Sequence, residues 1–162
     1  MSDGAPSADQ LAATVDRVAI DALQRAYADG VTCRRWADVA ALFVPDASLS
    51  LDLVTRPGMV LESPYDIVTF LESAISDFAF FEFAIVNSHV DLWPGGDRSG
   101  ATARMFMCEL RVRRGATARD DAFGLYRDEY RKVDGTWRIA ARRYRSVARF
   151  PEGATFGLPD DL

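Results

Sequence analysis

The chain has 162 residues and a formal net charge of -5, with 49% hydrophobic and 11% aromatic residues. That length fits one domain able to bury about two thirds of its unfolded surface with no metal or disulfide staple. The acidic total, with arginines spread among Asp and Glu, excludes a basic tract of the kind that holds nucleic acid.

No apolar run reaches the roughly 20 residues of a membrane-spanning helix. Residues 1–10 carry neither the basic start nor the apolar run of a signal peptide. Cys33 and Cys108 form no metal-ligand spacing and no disulfide framework, so a reducing cytoplasm is the expected setting.

Residues 1–6 read as a disordered leader. Ser7 and Gln10 fit a capping box, which predicts a helix over about 8–29. Leu11, Val15, Val18 and Ala22 form one apolar stripe, widened by Ile20, Leu23 and Tyr27, and Gly30 is the expected stop. A second helix over about 34–43 carries Trp36, Val39, Ala40 and Phe43 on one face. Residues 47–54 alternate as a half-buried strand, Arg56-Pro57-Gly58 turns the chain, and 59–62 is a short strand. Ser63-Pro64 opens a third helix, with Ser as cap and Pro in the first helical position.

A long strand follows over about 80–93. Alternation places Phe81, Phe83, Ile85, Asn87, His89 and Asp91 on one face, which changes from apolar to polar along its length. The next strand, 101–112, has Met105 and Met107 on one face and Phe106, Cys108 and Leu110 on the other. Phe123 to Arg145 reads as a β-hairpin turning at Asp134-Gly135, because a type I′ turn needs φ > 0 at both central residues. With that turn as the whole loop, Val133 faces Thr136, Lys132 faces Trp137, Tyr130 faces Ile139, Asp128 faces Ala141 and Tyr126 faces Arg143. Asp128 and Arg143 then share the apolar face and must either pair or bind something. A bulge after Trp137 would exchange Arg143 for Arg142. Arg111 to Arg114 and Tyr144-Arg145 read as solvated face, and residues 149–162 as an irregular tail.

Helices followed by a run of long antiparallel strands mean α+β, with residues 7–148 as one domain. This order and several strings resemble the SnoaL-like family of the nuclear-transport-factor-2-like superfamily. The strings are Tyr27 and Trp36 nine apart, LFVPDA over 42–47, and Asn87 on the long strand. They continue with Gly124-Leu125-Tyr126-Arg127-Asp128, followed by Asp134-Gly135-Thr136-Trp137-Arg138-Ile139. The resemblance covers nearly the whole chain and implies a cone-shaped, curved antiparallel sheet packed on N-terminal helices. Relatives include polyketide cyclases, scytalone dehydratase, ketosteroid isomerase and the small β subunits of ring-hydroxylating dioxygenases. In dehydratase-like members the chemistry rests on a Tyr and an Asp from the first helix region, a His on the long strand and an Arg on the last strand. Tyr27 matches the Tyr. Thr32 stands at the Asp position, Phe83 at the His position, and Arg142 or Arg143 for the Arg.

The expected catalytic set is His89, Asp128, Tyr27 and Arg143. His89 is the only side chain whose ordinary pKa lies near neutrality. Asp128 acts as an acid or positions Arg143, and Arg143 stabilises an enolate or binds a carboxylate. Asn87, Phe83, Phe81, Met105, Met107, Tyr126 and Trp36 are expected to contact substrate, and Cys108 to be inert. Together with the resemblance this implies acid-base dehydration, isomerisation or cyclisation of an apolar carbonyl compound, polyketide- or steroid-like, without cofactor or metal, in a homodimer. The alternatives are a non-catalytic ligand-binding protein and a dioxygenase-type β subunit.

Overall fold

A computed structural model of the chain describes residues 5–151 and 153–159. Residues 1–4 of the expected leader and 152 and 160–162 of the expected tail lie outside that part. Helix α1 (Ala8–Thr32) starts at the capping box, where the Gln10 N–H donates to Ser7 Oγ at 3.2 Å and the Ser7 N–H to Gln10 Oε1 at 2.7 Å. It runs past Gly30. A Cβ there would lie 2.8 Å from Val39 Cγ2, so this glycine lets α2 (Trp36–Ala41) close onto α1 rather than ending the helix. The stop falls at Arg34, whose φ is 56°.

The buried face of α1 is Asp16, Ile20, Leu23, Gln24, Tyr27 and Val31, at helical spacing. Leu11, Val15 and Val18, expected in the buried stripe, are exposed. Asp16 is the reason. It faces the sheet and is held there by three donors, which rotates its neighbours outward.

The chain continues through β1 (Phe43–Asp52), β2 (Met59–Leu61), α3 (Pro64–Ile75), β3 (Phe78–Leu92), β4 (Gly100–Arg113), β5 (Asp121–Val133), β6 (Thr136–Phe150) and β7 (Ala154–Thr155). The strands form one curved, unclosed sheet in the order β2-β1-β6-β5-β4-β3, with β7 on β6. All pairs are antiparallel except β1 with β6. This is the expected α+β architecture with one parallel pair. The strand β7, pairing Ala148 with Thr155, lies in a segment expected to be irregular.

Two bulges decide which side chains face the interior. In the β5–β6 hairpin, Asp134 and Gly135 have φ of 49° and 77°, as a type I′ turn requires. The expected pairs hold from Val133↔Thr136 to Tyr130↔Ile139. Then Ala140 is extra, and the register becomes Glu129↔Ala141, Asp128↔Arg142, Arg127↔Arg143 and Tyr126↔Tyr144. Arg142 therefore points inward and Arg143 outward. In β3 the extra residue is Val86, between Ile85↔Met107 and Asn87↔Phe106. Each bulge moves every later side chain on its strand to the opposite face.

The end of the cone beneath the hairpin turn is closed by Asp16. Its carboxylate accepts from Lys132 Nζ at 2.5 Å, Trp137 Nε1 at 3.0 Å and Trp93 Nε1 at 3.1 Å. Burial opposes the charge, but those three donors and the lysine's charge outweigh it and hold the Asp16 pKa below the usual carboxylate range.

Candidate functional site

The interior is filled in two layers. The deeper one is polar and sealed. Arg142 Nε and Nη2 donate to the two oxygens of Asp128 at 2.7 and 2.6 Å, a bidentate pair with both side chains at 0% exposure. Tyr130 Oη donates to Asp128 at 2.6 Å and accepts from Gln24 Nε2 at 2.9 Å. The Arg142 guanidinium lies between two rings, 4.1 Å from Tyr27 and 4.2 Å from Tyr126. Burial, offset in part by the Arg142 charge, pushes the Tyr27 hydroxyl up. Arg142 Nη1 is buried and has no acceptor among the described residues.

The second layer is aromatic. Tyr27 meets Phe83 edge-on at 5.6 Å, Phe83 stacks on Tyr126 at 5.9 Å, and Tyr126 meets Tyr144 at 5.4 Å. Such pairs are each worth about 0.5–1.5 kcal/mol beyond area burial. Tyr144 presses against Gly124, where an added Cβ would lie 2.2 Å from its ring.

Above this layer a cavity of about 210 Å³ opens at the end of the cone opposite the hairpin turn. Tyr126 and Tyr144 line it, with Leu51, Leu53, Ala74 and Phe78. Its polar side chains are Glu109, Arg111, Asp120, Arg149, Arg56 and Arg113. Glu109 keeps 22% exposure and accepts from Arg111 Nη1 at 3.0 Å. Arg111 also donates to the Asp120 carbonyl at 2.6 Å and to its carboxylate. Burial pushes the Glu109 carboxyl above its ordinary range, against the lowering influence of Arg111 and Arg149. Burial likewise raises the hydroxyls of Tyr126 and Tyr144, so both are proton donors at neutral pH.

The structure brings together Tyr27, Asp128, Phe83, Phe81, Met105, Met107 and Tyr126, all buried in or around the cone. Trp36 packs half-buried against the core. It does not bring in His89, Asn87 or Arg143. Past the Val86 bulge the core side of β3 carries Ser88, itself exposed, and the part-buried Val90 and Leu92, opposite Met105, Ala103 and Ala101. His89 is 65% exposed and sits 3.2 Å from Asp91, and Asn87 is exposed. Arg143 is 66% exposed and pairs with Glu129 at 2.9 Å. Their expected inward placement is corrected by the two bulges. Arg111 and Tyr144, expected in solvent, are buried. Cys108 is buried, which raises its thiol pKa, as an inert cysteine requires.

Glu109 went unselected, although a signal for it exists. Continuing the alternation Met105, Met107 by two steps puts Glu109 and Arg111 on the same inner face. Thr32 and Phe83 do meet, with the Phe83 N–H donating to Thr32 Oγ1 at 3.0 Å. Neither side chain can carry a proton in acid-base chemistry near neutral pH.

A family model described as the SnoaL-like domain matches residues 12–143. No curated protein matches the sequence. Among solved structures, a candidate scytalone dehydratase of Novosphingobium aromaticivorans superposes with a TM-score of 0.76, at 19% identity over 93% of this chain and 97% of that one. The LinA-type3 hexachlorocyclohexane dehydrochlorinase of Novosphingobium barchaimii gives 0.74, at 18% identity over 92% and 99%. A candidate aromatic ring hydroxylase of N. aromaticivorans gives 0.69, at 19% identity over 83% and 91%. Likeness at these identities is likeness of fold.

Proposed function

The chain belongs to the SnoaL-like domain family, and on that premise we propose that it is a small-molecule enzyme whose acid-base chemistry takes place in the cavity at the cone's open end. Glu109 removes a proton from carbon beside a substrate carbonyl. The electron pair moves onto the carbonyl oxygen, which Tyr126 and Tyr144 stabilise by donating hydrogen bonds. Arg142 backs Tyr126 from the sealed layer, and its charge favours negative charge at that end of the ring. Return of the proton from Glu109 to another carbon is isomerisation. Its transfer to a β-hydroxyl, which leaves as water, is dehydration, and attack of the enolate on a second carbonyl whose oxygen takes that proton is ring closure.

The observation that carries this reading is Glu109 itself: a carboxyl of weakened acidity, open to a cavity, within a cluster that includes two tyrosines. Asp128 and Tyr27 support the site from behind and do not reach it. A cavity of about 210 Å³ suits a compound of one ring better than a steroid or a long polyketide.

Phenylpyruvate, an enolisable one-ring carbonyl compound, is a suitable probe. In deuterated buffer its methylene hydrogens should exchange at least about a hundredfold faster with the protein than without it. Glu109→Gln should return the rate to background while circular dichroism stays unchanged. Equal rates for protein and variant would remove Glu109 from the chemistry.

A second reading, ligand binding without turnover, is supported by Thr32 and Phe83, which the sequence resemblance sets at the positions of the dehydratase-like Asp and His. Native mass spectrometry of the protein from its own cells distinguishes the two. A retained ligand left unchanged by incubation supports binding alone.

A further inference from the structure

Resting on the proposed site, we infer that the cavity at the cone's open end selects an anion: a small, flat compound bearing a carboxylate beside its carbonyl group. The chain as a whole carries a net charge of -5, yet this cavity is lined by Arg56, Arg111, Arg113 and Arg149 against Glu109 and Asp120. Four guanidinium groups face two carboxylates, so the lining has a formal charge of +2 inside an acidic molecule.

The four are not equivalent. Arg111 is committed to Glu109 and Asp120, and Arg113 shares Asp120 at 3.1 Å. Both also lie over the Phe78 ring, at 5.0 and 4.9 Å. They hold the acidic pair and cover one aromatic wall. Arg149 lies close enough to Glu109 to lower its pKa, and its one hydrogen bond among the described residues is to Ser146 Oγ, at 3.4 Å; neither it nor Arg56 forms an ion pair among those residues. Two guanidiniums at the rim are therefore uncommitted, and each can take a carboxylate in a two-point grip.

The remaining surface fixes the rest of the ligand. Leu51 near the end of β1 and Leu53 just past it face a cavity whose inner end is the Tyr126 and Tyr144 rings. A flat ring fits between these walls. With the carboxylate at Arg56 and Arg149, the adjoining carbonyl reaches inward toward Glu109 and the tyrosines. Low-dielectric walls around clustered charge of one sign focus its field and raise the local concentration of an oppositely charged ligand.

The test compares benzoate with benzamide, the same ring with and without the charge, by amide chemical-shift titration of the full chain. Benzoate should shift the amides of Tyr126, Tyr144 and Arg149 and bind about ten- to a hundredfold more tightly than benzamide. The advantage should shrink at high salt and fall to near unity in Arg149→Gln and Arg56→Gln, the latter on an exposed turn where folding is not at stake. Benzamide binding as tightly at the same residues overturns the anion preference but leaves the Glu109 chemistry standing. Benzoate shifting other amides, or none, overturns the site as an anion receptor. Selective benzoate binding alongside proton exchange that ignores Glu109 keeps the anion site and removes the chemistry.

Discussion

Replacing Asp128 with leucine should cost about 3–5 kcal/mol, a fifth or more of the stability of a typical domain. The magnitude follows from the geometry. Asp128 accepts two charge-assisted hydrogen bonds from Arg142 and one hydrogen bond from Tyr130, and neither member of the ion pair is exposed. The variant leaves a guanidinium buried without its counter-ion, beside an Nη1 that already lacks an acceptor among the described residues. Replacing Arg142 with methionine as well removes that charge, and the Tyr130 hydroxyl, still accepting from Gln24, loses only the acceptor for its proton. The double variant should lie within about 1–2 kcal/mol of the parent, because an apolar pair of similar volume avoids both desolvation costs. Urea unfolding followed by circular dichroism reads Asp128→Leu, Arg142→Met and the double variant, with the slope checked for constancy. A single variant losing under 1 kcal/mol, or a double variant no better than the sum of the singles, refutes a sealed and mutually dependent pair.

Other outcomes follow from the same geometry. The Asp16 pKa is depressed in the fold, so its contribution is present above the unfolded value and lost as pH falls through the folded one. Asp16→Asn should cost about 2–3 kcal/mol at neutral pH and nothing measurable in strong acid, read by thermal melts across pH. Glu109 has the opposite sign. Its folded pKa is raised, so the folded state holds more protons, and stability should fall as pH climbs from the ordinary glutamate range through the raised value. Glu109→Gln should flatten that decline, and a profile unchanged by the substitution contradicts the buried carboxyl. His89→Ala and Arg143→Ala, both on the outer face, should change stability by no more than about 0.5 kcal/mol and leave proton exchange intact.

Helix starts and the hairpin turn were legible because each rests on local chemistry. Ser7 with Gln10, Ser63 with Pro64, and Asp134-Gly135 specify their backbone within four residues. The family was legible because strings such as LFVPDA and the hairpin reflect that same local structure. The site was less so, because the inward direction depends on two single-residue bulges. The residues at those bulges, Val86 and Ala140, are ordinary strand residues, and no turn chemistry marks them. One slip exchanges Arg143 for Arg142, and the other turns His89 and Asn87 to solvent. The α1 stripe misled for a related reason. Apolar spacing offers two adjacent faces, and a charged residue, Asp16, selects between them through partners that are distant in sequence.

If Glu109 is the base at the cone's open end, the pH dependence of phenylpyruvate proton exchange carries its signature. The groups facing Glu109 are Arg111, Asp120, Arg149, Tyr126 and Tyr144. Neither the arginines nor the tyrosines lose a proton in the acid range, which leaves the two carboxyls of the cluster as the candidates. The rate should rise with pH through an inflection above the ordinary glutamate range, and Glu109→Gln should abolish the inflection together with the rate. A flat profile, or one that persists in the variant, would place the base elsewhere.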